Sequence, residues 1–115
     1  MRIWYQVRDL DQARAFYTGM LGFTETFADE DWAKLERGEM QIAIAQGEPQ
    51  ADGPVASVDV TDIKGEADRL RAQSVDIGTV LEIHDEVRVV DVFDPDGNRL
   101  QLVQQNLLRY WAEKP

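Results

Sequence analysis

Residues 2–8 alternate in character, with Ile3, Tyr5 and Val7 on one side and Arg2, Trp4, Gln6 and Arg8 on the other. A period of two is that of a strand with one buried face. Asp9 follows as a candidate N-cap, its carboxylate placed to accept an unpaired amide of a first helical turn. Behind it Leu10, Ala13, Phe16, Tyr17, Met20 and Leu21 recur at helical spacing, which predicts an amphipathic helix stopped by Gly22. Three short β-type runs come next, at approximately 23–28, 31–37 and 40–46, separated by the turn-forming stretches 28–31 and 37–39. Within these runs Leu35, Met40, Ile42 and Ile44 form the expected buried side. Trp32, Lys34, Glu36, Gln41, Ala43 and Ala45 face the other way.

Residues 47–54 are polar and rich in turn formers, the one convincing linker in the chain. After it the opening pattern returns: residues 55–63 align with residues 2–10, placing Asp62 where Asp9 stood and Ile63 where Leu10 stood. A second helix is expected with Ile63, Ala67 and Leu70 on one stripe, although Gly65 weakens its first turn. Runs at approximately 77–83, 86–93 and 98–104 complete a second βαβββ unit. The last two are hinged on Asp94-Pro95-Asp96-Gly97-Asn98, where Pro95 presets φ and Gly97 takes a conformation that other residues resist. The chain therefore reads as an α+β fold of two tandem βαβββ modules, 1–47 and 54–104, with a tail at 105–115. In that tail Leu107, Leu108 and Trp111 share one side of a candidate helix, suited to cap the core, cover a cleft or meet a second subunit.

Length bounds the rest: 115 residues suit one compact domain whose halves share surfaces. The absence of cysteine excludes disulfides, thiolate metal sites and a cysteine nucleophile. The opening apolar run is short and broken by Gln6, unlike a signal peptide, and no later run could span a bilayer, so a cytoplasmic protein is expected. A formal charge of −10 aids solubility and repels phosphate backbones and anionic lipid, which argues against nucleic-acid and membrane partners. Ser57 has no evident histidine partner, and glycine-rich phosphate loops are absent.

Two motifs together carry a family resemblance. An Asp-Leu…Phe-Tyr…Leu-Gly-Phe opening (Asp9, Leu10, Phe16, Tyr17, Leu21, Gly22, Phe23) and the Asp94-Pro95-Asp96-Gly97-Asn98 ending resemble the vicinal oxygen chelate superfamily, which includes glyoxalase I, extradiol dioxygenases and bleomycin-resistance proteins. The resemblance spans nearly the whole chain. It implies that each sheet packs its helix on one face and turns the other toward a cleft. In the superfamily's metalloenzymes a divalent metal is held from four strand positions, which fall here at Arg2, Ala43, Val55 and Gln101. Those four side chains cannot together hold a catalytic metal, because Arg does not deprotonate and Ala and Val have no donor atom. No metal, no cofactor and no catalytic residue is therefore expected. The one histidine, His84, reads as a solvated residue at a hairpin; the alternative is a relocated His/carboxylate cluster with Glu82, Asp85 and Asp91, serving a metal-dependent lyase, isomerase or dioxygenase.

On the cleft-facing side the resemblance leaves Trp4, Trp32 and Phe93 beside Gln6, Gln41 and Gln101. Flat rings with few directional polar groups suit a planar or cationic ligand, or simply pack the cleft floor. Glu36, Asp59 and Asp91 either attract positive charge there or counter Arg2, Lys34 and Arg99. Bleomycin-resistance proteins are the nearest analogy, as small, acidic, metal-free members that bind a cationic aromatic antibiotic between two subunits. The resulting expectation is a homodimeric small-molecule binding protein whose ligand contacts are Trp4, Trp32, Phe93, Arg2, Gln6, Glu36, Asp59, Asp91 and Gln101. A scaffold dimer with an occluded cleft is the further alternative.

Overall fold

Alternation at the start of the chain becomes strand β1 (Arg2–Val7), with Ile3, Tyr5 and Val7 buried and the residues between them exposed. The computed structural model describes residues 2–105. Asp9 caps helix α1 (Leu10–Gly19), its Oδ1 accepting from the Gln12 amide at 3.0 Å. Gly22, at φ +71°, ends that segment in the left-handed region, where a Cβ is disfavoured. Strands β2 (Thr24–Ala28), β3 (Trp32–Arg37) and β4 (Met40–Gln46) follow. They form a four-stranded sheet in the order β1-β4-β3-β2, with β1 parallel to β4 and the other pairs antiparallel.

The second module repeats this plan. It comprises β5 (Ala56–Asp59), α2 (Ile63–Ala72), β6 (Asp76–Ile77), β7 (Leu81–Ile83), β8 (Val87–Phe93) and β9 (Arg99–Gln104). The sheet runs β5-β9-β8-β6, β7 also pairs with β8, and β5 lies parallel to β9. Ile63, Ala67 and Leu70 are buried along α2 as the stripe requires. Asp62 caps that helix through the Gly65 amide, and a Cβ on Gly65 would meet the capping carboxylate at 2.3 Å. The glycine that weakens the turn intrinsically therefore also makes room for its cap.

One expected strand is two. The run 77–83 breaks between β6 and β7, because the register against β8 shifts by one residue from Ile77↔Val92 to Leu81↔Val89. An extra residue there forms a bulge, and Gly78 still bonds the Asp91 carbonyl at 2.9 Å.

The inward faces of both sheets and both helices share one apolar core. Polar groups buried at the junction tie the modules together. The Tyr5 hydroxyl donates to the Arg99 carbonyl at 2.6 Å and accepts from the Ala56 amide at 2.9 Å. Burial pushes that phenol up to about 12, since the phenolate would lose its hydration. Tyr17, buried on α1, donates to Asp94 Oδ2 at 2.8 Å, and its own ionisation is pushed well upward by burial and then by the Asp94 charge. Asp94 Oδ1 accepts the amides of Asp96 and Asn98, each at 2.9 Å, and Asn98 Nδ2 bridges Asp94 Oδ2 and the Gln6 carbonyl. Thus the β8–β9 turn of module two is bonded to β1 and α1 of module one. Across the helices, Arg37 pairs with Glu66 and donates to the Leu21 carbonyl, while Arg69 donates to the Met20 carbonyl. Leu107, Leu108 and Trp111 lie outside the described residues.

Candidate functional site

The outward face of the first sheet is built in rows by strand register. Trp4 pairs with Ala43, which pairs with Lys34, which pairs with Phe27. In the next row Gln6 pairs with Ala45, and Ala45 with Trp32. Central strand β4 thus presents only methyl groups between two indoles. Above them the rings of Trp4 and Trp32 meet, with centroids 5.5 Å apart and planes tilted by 36°. Ala43 is fully buried beneath this arrangement although it sits on the outward face. Phe27 extends the surface, 4.9 Å from Trp32. Trp4 remains 53% exposed and Phe27 44% exposed, so the three rings form an aromatic wall open to solvent.

Phe27 joins that wall because of a bulge. The β2–β3 register shifts between Glu25 and Phe27; without the shift Phe27 would oppose Ala33 on the core side. Nothing in the local alternation of residues 24–28 signals it, which is why sequence reasoning missed this residue.

Polar side chains on the same face form a short chain. Arg2 donates to Gln41 Oε1 at 3.4 Å, and Gln41 Nε2 donates to Glu36 Oε1 at 2.9 Å. The remaining expected contacts lie on the second sheet. Asp91 pairs with Arg99 at 3.6 Å and accepts from Gln101 at 3.4 Å, while Asp59 accepts from Gln105 at 3.1 Å. The expected countering of Asp91 by Arg99 is present. Glu36 instead relies on the Gln41 amide.

Phe93 stands apart from the two tryptophans. It lines a cleft of about 400 Å³ with Val55, Arg99 and the linker residues Gln50 to Pro54. A smaller cleft of about 100 Å³ is lined by Trp4, Gln6, Gln50, Pro54 and Asn98 among others. Gln50, Gly53, Pro54 and Asn98 belong to both, so the linker runs between the Trp4 end and the Phe93 end. That role for the linker was not legible from its turn-forming composition. The nine expected ligand contacts therefore divide into Arg2, Trp4, Gln6, Trp32 and Glu36 on the first sheet, and Asp59, Asp91, Phe93 and Gln101 on the second.

Of the four positions implied for a metal, Arg2, Ala43 and Gln101 stand on outward faces and Val55 immediately precedes β5. The internal repeat equates Trp4 with Ser57, and these pair with Ala43 and Gln101 respectively, so Ala43 and Gln101 occupy equivalent places. Arg2 is exposed and Val55 and Gln101 are half-buried. A guanidinium, a methyl, an isopropyl and an amide do not fit a divalent cation, which needs imidazole or carboxylate donors. His84 and Asp85 occupy the β7–β8 hairpin at φ +53° and +57°, both exposed, in keeping with a solvated turn. Among the described residues no group of three or more His, Asp or Glu is placed to hold a metal ion. Likewise no helix among them is long and apolar enough to cross a membrane.

Comparison with known proteins bears directly on this architecture. The family model for the Glyoxalase/Bleomycin resistance protein/Dioxygenase superfamily matches residues 2–102. The chain belongs to that superfamily. Among solved structures, the bleomycin-binding protein from bleomycin-producing Streptomyces verticillus, complexed with copper(II)-bleomycin, is 27% identical with a TM-score of 0.69, over 89% of this chain and 92% of that one. The bleomycin resistance determinant encoded on the transposon Tn5 is 22% identical with a TM-score of 0.75, over 91% and 96%. Lactoylglutathione lyase from Agrobacterium tumefaciens is 16% identical with a TM-score of 0.74, over 90% and 91%. The superfamily fold thus accommodates both a binder and an enzyme, and the low identities to the last two speak to fold alone. No curated protein matches the chain significantly.

Proposed function

We propose that this superfamily member binds a planar small molecule against the first sheet, without a metal and without turning it over. The observation that carries this reading is the exposed wall of Trp4, Trp32 and Phe27. Solvated rings of this size gain from a flat partner, about 0.5–1.5 kcal/mol per ring contact beyond the area buried. Support for metal independence comes from the chemistry of Arg2, Ala43, Val55 and Gln101. The likeness to a bleomycin-binding protein adds an antibiotic-like compound as the kind of ligand to try.

The same reading takes the protein as a homodimer. Leu81 and Ile83 are 58% and 45% exposed on the second sheet, beside Val87 and Val89, while the aromatic wall is exposed on the first. Apolar surface of this kind on both sheets favours burial against a second copy, with the ligand between them.

Tryptophan fluorescence titration with bleomycin and with 2-naphthamide, a bare planar probe, tests the proposal. At least one should quench saturably. Trp4→Ala and Trp32→Ala should each weaken binding about ten-fold while leaving the far-UV circular dichroism unchanged. His84→Ala should be silent. Failure of both compounds to saturate, or loss of binding in His84→Ala, would overturn the reading, and light scattering of the purified protein reports the dimer independently.

A further inference from the structure

We infer that the aromatic wall selects a planar ligand carrying an acidic group, with Lys34 as the residue that decides the sign. The inference rests on the binding reading above and runs against the overall charge of the chain.

Lys34 stands on the outward face of β3 two residues after Trp32, with Ala43 on one side of it in register and Phe27 on the other. It is only half exposed, and among the described residues it takes part in no ion pair. The neighbouring carboxylate on the same strand face, Glu36, accepts from the Gln41 amide through one oxygen and makes no ion pair with Lys34. Arg2, the other cation of this face, reaches only the neutral Gln41 carbonyl oxygen. The face therefore carries two cations and one carboxylate. At the adjoining turn, Asp29 is engaged by the amides of Asp31 and Trp32, at 2.8 and 3.0 Å. On the second sheet Asp91 and Asp59 are likewise taken up, by Arg99 and Gln101 and by Gln105.

What distinguishes Lys34 is a cation standing in register with Phe27, two residues from Trp32, with no carboxylate of the described residues within ion-pair distance of it. An ammonium in that setting is a donor of three hydrogen bonds awaiting an acceptor, and a carboxylate on a stacked ring would supply one. The net charge of −10 opposes any anion from a distance. That opposition is screened beyond about 8 Å at physiological ionic strength, whereas a contact at hydrogen-bond distance is not. The local pair therefore dominates which ligand is retained, and the screened far field acts mainly on how fast it arrives.

Three probes with one ring system separate the terms: 2-naphthoate, 2-naphthamide and 2-naphthylmethylammonium, titrated by tryptophan fluorescence into wild-type protein and Lys34→Met. The expected result is 2-naphthoate bound about ten-fold tighter than the amide, with the ammonium weakest. In Lys34→Met the advantage of the acid should vanish while affinity for the amide stays within about two-fold. Equal binding of acid and amide, a preference for the ammonium, or an acid preference that survives Lys34→Met would each overturn the inference while leaving the planar site standing. If none of the three saturates, this inference falls, and if bleomycin fails to saturate as well, the binding reading falls with it.

Discussion

Removing the Asp94 carboxylate should cost about 4 kcal/mol of stability, and most of that cost should reside in what it leaves behind. In Asp94→Ala the Tyr17 hydroxyl and the Asn98 amide lose their acceptors inside the protein, since both bonds are buried. Each stranded group carries a penalty of about 1–3 kcal/mol. The Asp96 amide is only partly buried, and Asn98 Nδ2 keeps the Gln6 carbonyl, so these two contribute little. Tyr17→Phe is milder, about 2 kcal/mol, because it deletes the donor together with its need and Asp94 keeps three other bonds. The double variant strands only the Asn98 amide, so it should cost about 2 kcal/mol, less than Asp94→Ala alone, giving a coupling of about 4 kcal/mol between the sites. Urea unfolding followed by far-UV circular dichroism measures all four proteins, with an unchanged m-value as the check that only stability has moved. A domain of this size carries roughly 5–15 kcal/mol, enough for every variant to stay folded. Additivity within about 0.5 kcal/mol would show that Tyr17 and Asp94 do not act as one strut, and the account of how the modules are joined would be wrong.

Alkali should loosen the same junction. Burial pushes the Tyr5 phenol up to about 12 in the folded protein against about 10 when unfolded, so its contribution is complete below pH 10 and declines as pH rises toward 12, by about 3 kcal/mol in all. Tyr5→Phe should flatten that decline, leaving the part due to Tyr17; an equally steep loss of urea midpoint in the variant would contradict it. Two glycines should respond oppositely to alanine. Gly97, at φ +86° with open space where a Cβ would stand, should cost about 1–2 kcal/mol from backbone strain alone. Gly19, at the end of α1 with no positive φ and equal space, should be neutral or gain up to about 1 kcal/mol, and equal effects at the two positions by thermal unfolding would sink the distinction.

The fold was largely legible because its determinants are local and periodic. Strand alternation, the two aspartate caps and the helical stripes each state which face is buried, and the structure buries those faces. The exceptions are places where one inserted residue reverses a face. A bulge splits the run 77–83 into β6 and β7, and another turns Phe27 outward. Neither leaves a trace in a period of two, because a bulge is settled by the partner strand.

The site was less legible for a reason that the internal repeat makes plain. Equivalent inward positions of the first strands keep one chemical character: Ile3 with Ala56, Tyr5 with Val58, Val7 with Val60, all buried. Equivalent outward positions share nothing, as Arg2 stands with Val55, Trp4 with Ser57 and Gln6 with Asp59. The core restrains one face of each strand, because volume lost or gained there is costly, whereas the other face answers only to what it touches. A repeat therefore announces the architecture twice while its two outward faces diverge. Here one has become aromatic with a lysine that takes part in no ion pair among the described residues, and the other carries an aliphatic strip and paired carboxylates. If the outward faces were mere solvent coverings, exchanging Trp4 for its counterpart serine would leave both fold and binding unaltered. The tilted contact with Trp32 predicts an unaltered fold and a ligand bound about ten-fold more weakly, and that pairing of results is what separates a site from a surface.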